Sequence, residues 1–232
     1  MELALYQPGL GYYSAGLHKL GASGDFVTAP EIGTLFAACI GRQFEDLGRQ
    51  IPQRDILEIG AGTGKLAVDL FNSLPKDQWP QRYRILERSA DLRAVQEQAL
   101  AAATPGALGR VEWLEQPPLN EWRGLLIANE VIDALAAERF RVNESGIEQA
   151  CVGLENDQFS WAYRPAPPAL QTAVEQLGIS FDSGYCSEIL PDLPAWLGAV
   201  TGGMKQGLAL FVDYGYPRGE YYMPQRNDGT FM

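Results

Sequence analysis

The chain has 232 residues, 46% of them apolar and 20% charged, with a formal net charge of −11. It is long enough to bury a sizeable core and has the composition of an ordinary globular protein. The acidic balance disfavours nucleic acid as a partner and suits a cationic substrate such as an arginine or lysine side chain; with no apolar run near the roughly 20 residues of a membrane span, no membrane insertion is expected.

The first residues, Met1-Glu2-Leu3-Ala4, carry an acid where a signal peptide carries bases, so a cytoplasmic location is expected. Cys39, Cys151 and Cys186 are scattered and form no Cys-x-x-Cys, which argues against a disulfide framework or a zinc site. His18 is the only histidine. It reads as a surface residue, and its solitude removes His-x-x-x-His metal motifs and makes a Ser-His-Asp hydrolase a poor fit. No metal is expected.

Residues 1–33 read as loop after a short helical start. Thr34 to Arg49 carries Leu35, Phe36, Ile40, Phe44 and Leu47 at helical spacing, with Thr34 as a candidate cap. Short apolar strands and helices then alternate. Strands are expected at Ile56–Ile59, Tyr83–Glu87, Val111–Trp113 and Leu125–Ala128, with helices at Leu66–Leu74 and Ala90–Ala103. Such alternation predicts an α/β fold with a mostly parallel sheet covered on both faces. From Glu138 to Tyr163 apolar and polar residues alternate, broken at Glu144-Ser145-Gly146 and Glu155-Asn156-Asp157, which predicts an inserted antiparallel β-meander. Pro165–Pro168 is a connector, Ala169–Leu177 and Leu193–Val200 read as helices, and Leu208–Val212 reads as a fifth buried strand ending in Asp213-Tyr214. No strand or helix pattern follows. The expected organisation is an N-terminal cap and helix over 1–50, a Rossmann-like core over 51–137 and 178–232, and the meander with its connector over 138–177.

The first strand runs into Glu58-Ile59-Gly60-Ala61-Gly62-Thr63-Gly64. Glycines after a strand allow a tight turn and close backbone approach to a ligand. The spacing is Gly-x-Gly-x-Gly; a dinucleotide loop calls for Gly-x-Gly-x-x-Gly, and its third position here is Lys65. S-adenosylmethionine has no pyrophosphate and makes no such demand. Glu58 suits the polar methionine end of that ligand. Glu87, at the end of the second strand, can accept hydrogen bonds from both ribose hydroxyls. Trp113 is either an adenine contact or a core aromatic. Asn129, Glu130 and Asp133 follow the fourth strand, at the edge where open α/β sheets bind ligands; the alternative for Asn129 or Asp133 is a helix cap.

Several segments, in this order, resemble the MidA-type methyltransferases, the family of a mitochondrial complex I assembly factor that methylates arginine. They are Leu5-Tyr6-x-Pro8-x-x-Gly11-Tyr12-Tyr13, Gly24-Asp25-Phe26-Val27-Thr28-Ala29-Pro30-Glu31, the glycine loop, Asn129-Glu130-x-x-Asp133-Ala134-Leu135 and Val212-Asp213-Tyr214-Gly215-Tyr216. The resemblance implies a Rossmann-like class I fold and S-adenosylmethionine as cofactor. It implies that Thr28, Pro30 and Glu31 close over the cofactor, and that Asn129, Glu130 and Asp133 face the acceptor. It further implies a protein arginine as substrate, in a subunit of respiratory NADH dehydrogenase; a homodimer is left open. Two departures stand out. Leu135 is followed by Ala136 where the family usually has proline, and the family continues past this C-terminus, so the last strands of the sheet are expected to be missing.

Methyl transfer from a sulfonium needs alignment and water exclusion more than a strong base. Carboxylates grip a guanidinium in bidentate fashion. Glu130 is therefore the leading clamp, Asp133 the second, and Asp213 and Tyr214 lower candidates. The rival readings are a small-molecule methyltransferase on the same fold, a non-catalytic assembly protein that keeps the fold, and a nicotinamide oxidoreductase, which the loop spacing disfavours.

Overall fold

The computed structural model describes residues 1–7, 9–13 and 27–230. His18, Gly24-Asp25-Phe26, Pro8 and the final two residues lie outside the described residues. The helices are α1 (Glu2–Tyr6), α2 (Ala29–Ile32), α3 (Leu35–Gly48), α4 (Lys65–Ser73), α5 (Ala90–Ala103), α6 (Pro168–Gln176), α7 (Leu193–Thr201) and α8 (Arg218–Tyr221). The strands are β1 (Asp55–Ile59), β2 (Tyr83–Leu86), β3 (Val111–Leu114), β4 (Trp122–Asn129), β5 (Glu138–Asn143), β6 (Gly146–Glu155), β7 (Gln158–Pro165), β8 (Cys186–Ile189) and β9 (Met204–Val212). No described helix is long and apolar enough to cross a membrane, and no described cluster of His, Cys, Asp and Glu could hold a metal.

Two compact units emerge. One comprises Leu3–Ala134 and Trp196–Asp213, the other Met1–Glu2, Leu135–Ala195 and Tyr214–Met232. The first is built on a parallel sheet in the order β3-β2-β1-β4-β9. Every residue of β1 is buried, as a strand covered on both faces requires. Alternate residues serve opposite layers. Ile56, Leu125 and Ile127 pack with Phe44 of α3, Leu66 and Leu70 of α4 and Leu100 of α5. Leu57, Ile59 and Leu126 pack with Val200 and Trp196 of α7. Asp55, at the start of β1, holds Arg82 and Arg84 of the β2 segment at 2.9 and 3.1 Å.

The second unit is an antiparallel sheet in the order β7-β6-β5-β8. The meander forms with turns at the expected places. Asn156 and Asp157 both have positive φ, at 50° and 60°, the backbone that suits a two-residue hairpin turn between twisted strands. α6 covers this sheet through Leu170 and Val174, which pack with Phe140 and Tyr185.

Four expectations need correction. Thr34 precedes α3 but makes no side-chain cap, because its own backbone is already helical; Leu35 is 76% exposed and off the core face. β9 begins at Met204 rather than Leu208, and it ends the sheet, so its residues are half-buried or exposed. A short helix, α8, forms after it. The chain also divides elsewhere than at the expected boundaries. Residues 178–195 and 214–230 go with the antiparallel sheet, because β8 pairs with β5 and the Cys186 N–H donates to the Asn227 carbonyl at 2.9 Å.

The three strands β1, β4 and β9 are close together at a pair of glycines. A Cβ on Gly124 (φ 143°) would lie 1.9 Å from the Asp55 carbonyl oxygen, a backbone collision that only a strand shift could relieve. We expect Gly124→Ala to cost at least about 2 kcal/mol in urea unfolding. Gly109→Ala, where an added methyl meets nothing within 4 Å, should stay within about 0.5 kcal/mol of the parent.

Candidate functional site

In an open parallel sheet the ligand crevice opens where neighbouring strands lead to opposite sides, beyond their carboxyl ends. Here that point lies between β1 and β4. The glycine loop leaves β1 and residues 130–133 leave β4, and the two loops touch. A Cβ on Gly60 (φ 66°) would come within 3.1 Å of Val131 Cγ2. Gly64 has φ 83° and caps α4. These glycines give the loop a conformation that a side chain would strain and a backbone exposed to close approach.

Glu58 lies in β1, beneath the loop and 4% exposed. It shares a strand face with Ile56 and receives a 2.6 Å hydrogen bond from the Tyr83 hydroxyl. Burial pushes its carboxyl up from 4.5 to about 7, against the Tyr83 hydrogen bond, with the negative charge of Glu87 adding to the rise. One oxygen of Glu58 is thus committed to a phenol rather than open to a ligand, a partnership not visible in the sequence.

Glu87 follows β2 directly and is 9% exposed. Its Oε1 accepts from the Ser89 N–H at 2.9 Å and its Oε2 from Gln96 Nε2 at 3.3 Å. Arg93 donates to the Glu87 and Leu114 carbonyls, tying the ends of β2 and β3. Trp113 is half-buried against the core cluster and donates its indole N–H to Gln96 Oε1 at 2.9 Å. Of the N-terminal candidates, Thr28 precedes α2, Pro30 is buried in its first turn, and Glu31 accepts a hydrogen bond from the Thr63 hydroxyl in the glycine loop.

The edge beyond β4 gathers the acidic residues. Asn129 is the last residue of the strand, and its Oδ1 is a buried acceptor without a partner. Glu130 has φ 50°, unusual for a residue with a side chain and often found at functional sites. Its N–H is held by the Val212 carbonyl at 2.8 Å. Desolvation raises the Glu130 carboxyl, and the charges of Asp133 and Asp213 add to it. Asp213 Oδ2 accepts from the Ile132 and Asp133 N–H groups at 2.9 and 3.2 Å. Asp213 therefore holds the 130–133 loop through one carboxylate oxygen. Tyr214 belongs to the other unit. Tyr6 donates to the Ala134 carbonyl and stacks on Tyr13 with ring centroids 5.6 Å apart. Burial and the charge of Asp133 push the Tyr13 phenol up.

Sequence reading missed Gln96, Tyr83 and the tyrosines of the N-terminal motif as parts of this region. The signal for Gln96 was a polar residue on the same helix stripe as Leu92 and Leu100; Tyr83 gave none, since an aromatic in a strand reads as core, and Tyr6 was marked only as part of the family motif.

A parallel sheet with β1 central, a glycine loop after it and acids after β2 and β4 defines a Rossmann-like class I methyltransferase fold. The chain belongs to the family described as "putative S-adenosyl-L-methionine-dependent methyltransferase", which its residues 35–232 match. It is similar to a Burkholderia thailandensis protein crystallised with S-adenosyl-homocysteine, at 37% identity and TM-score 0.88, covering 99% of this chain and 60% of that one. It also resembles the protein arginine methyltransferase NDUFAF7 of Danio rerio (26% identity) and its Drosophila melanogaster homologue (23%), each over 93% of this chain. The chain spans 57% and 56% of the lengths of those two relatives.

Glu58 supplies a test of the buried site. Its pKa is raised on folding, so its contribution is fully favourable below pH 4.5 and is lost as pH rises through about 7. Glu58→Gln keeps an acceptor for Tyr83 and removes the titration. We expect its stability relative to the parent to rise by up to about 3 kcal/mol between pH 4.5 and pH 8 in urea unfolding. A pH-independent difference would show that Glu58 is not buried as a titrating acid.

Proposed function

We propose that the chain binds S-adenosylmethionine at the carboxyl ends of β1 and β2 and methylates a protein arginine held beyond β4. The features of the cofactor side fit that ligand. The loop presents backbone at Gly60 and Gly62, and Gly64 starts α4. Glu87 offers a carboxylate already oriented by two donors, one per oxygen. Glu31 joins the N-terminal segment to the loop through Thr63. Trp113, beside Glu87 through Gln96, is the candidate adenine neighbour. The Burkholderia protein crystallised with S-adenosyl-homocysteine supports the same reading.

The observation that carries the acceptor assignment is the pairing of an orphaned buried acceptor, Asn129 Oδ1, with the adjacent carboxylate of Glu130. Among the described residues Asn129 Oδ1 has no donor. A guanidinium brings five N–H donors and a positive charge in a planar fork. It would satisfy Asn129 Oδ1, pair with Glu130 and Asp133, and offset the mutual repulsion that raises the Glu130 carboxyl. S-adenosylmethionine would supply a sulfonium methyl for a guanidinium nitrogen, leaving as S-adenosyl-homocysteine while the nitrogen gives up a proton to solvent. Glu130 and Asp133 direct the nitrogen and balance its charge. Asp213 keeps their loop in place. The names of the NDUFAF7 relatives favour arginine over lysine, and a subunit of respiratory NADH dehydrogenase is the substrate we put first.

The test separates binding from transfer. Calorimetry with S-adenosyl-homocysteine should give affinities within about twofold for the parent and Glu130→Ala. Transfer of labelled methyl to arginine peptides should fall at least about a hundredfold in the variant, the equivalent of losing one desolvated charge partner. Equal turnover would remove Glu130 from the acceptor site. Transfer to free metabolites but not to peptides would move the reading to a small-molecule methyltransferase.

A further inference from the structure

Gln96 is fully buried on α5, one turn before Leu100. A buried amide is costly unless each polar atom finds a partner, and this one finds three, from three different elements. Its Nε2 donates to the Gly62 carbonyl of the glycine loop at 3.0 Å and to Glu87 Oε2 at 3.3 Å. Its Oε1 accepts from the Trp113 indole N–H at 2.9 Å. The indole nitrogen only donates and the Gly62 carbonyl only accepts, so the amide has one orientation that satisfies all three. The loop is also pressed against this residue: a Cβ on Gly64 would lie 3.2 Å from Gln96 Cα.

We infer that Gln96 is a positioning residue that holds the Glu87 carboxylate ready for the two adjacent hydroxyls of a ribose, and so sets the requirement for an intact ribose. This rests on the S-adenosylmethionine reading above and deepens it. Each Glu87 oxygen already has one protein donor, Ser89 N–H on Oε1 and Gln96 Nε2 on Oε2. A carboxylate oxygen has two acceptor positions, so one remains on each oxygen, spaced for a vicinal diol. Rotation of the carboxylate would break this match, and Gln96 is the side chain that resists it. The same amide fixes the indole of Trp113, so the ribose and adenine sides of the nucleoside pocket are set together. Glutamate at position 96 would bring no donor when ionised and one when protonated, against the two acceptors that the amide serves, and could not replace it.

The test compares S-adenosyl-homocysteine with its 2′-deoxy analogue by calorimetry, which reads the ribose hydroxyl rather than overall stability. The parent should prefer the intact ribose by at least about tenfold, the scale of a hydrogen bond to a charged group. Gln96→Met, which keeps the length and removes the amide, should weaken binding of S-adenosyl-homocysteine and bring the preference below about threefold. Added to Glu87→Gln, it should cause no further loss of preference. Trp113→Phe keeps a core aromatic and removes the donor that orients the amide; it should give an intermediate preference and serves as the probe if Gln96→Met does not fold. An unchanged preference in whichever variant folds overturns the inference, and so does equal weakening of both ligands. A parent that binds neither ligand overturns the S-adenosylmethionine reading, and the inference with it; a parent that binds both equally leaves that reading standing and overturns the inference alone.

Discussion

The parallel pairing of β1 with β2 on one side and β4 on the other governs the rest of the unit built on this sheet. Parallel strands all end at the same edge. The chain must return across a face of the sheet after each strand, and the returning helices bury the strand on that face. β1 is therefore enclosed on both faces and bonded along both edges, which is why all five of its residues are buried. What leaves its end must turn sharply within a few residues, and glycines make that turn at low cost. The acids after β2 and β4 come to the same edge for the same reason, although they are far apart in the chain.

Two kinds of polar burial meet at this edge. Around the glycine loop the groups satisfy one another: Tyr83 donates to Glu58, Gln96 to Glu87 and Gly62, and Trp113 to Gln96. A connected network of this kind is rigid, because moving one member leaves another unpaired in a low dielectric. Beyond β4 the balance is different. Asn129 Oδ1 is orphaned, Glu130 sits at positive φ, and two further acids crowd it. Such local costs persist only where the surrounding structure enforces them. The Val212 carbonyl and the Asp213 carboxylate do so here by holding the N–H groups of residues 130, 132 and 133.

The antiparallel unit has its own buried charges. Arg139 and Glu188, 8% and 4% exposed, lie 3.5 Å apart across the β5–β8 pair, and Asp228 adds a 2.9 Å contact to Arg139. Glu188 Oε2 accepts from the Thr230 N–H at 2.9 Å. These contacts explain why the segment after β9 belongs with this sheet. The tail is held by charge and hydrogen bonds to β8, a strand of four residues whose polar Ser187 and Glu188 are buried.

Most of the parallel-sheet elements and the meander were legible along the chain. Apolar runs bounded by turn residues marked the strands, and the glycine spacing marked a sharp turn after β1. Those signals are local, so a linear reading reaches them. Which side chains meet follows from the packing of distant segments. That Glu58 would be tied to Tyr83, that Asp213 would brace the loop carrying Glu130, and that Gln96 would join Gly62, Glu87 and Trp113 depends on the register of parallel strands and the rotation of α5. The same packing pairs β8 with β5. Four residues with buried Ser187 and Glu188 carry no hydrophobic pattern, and only the partner strand makes them a strand.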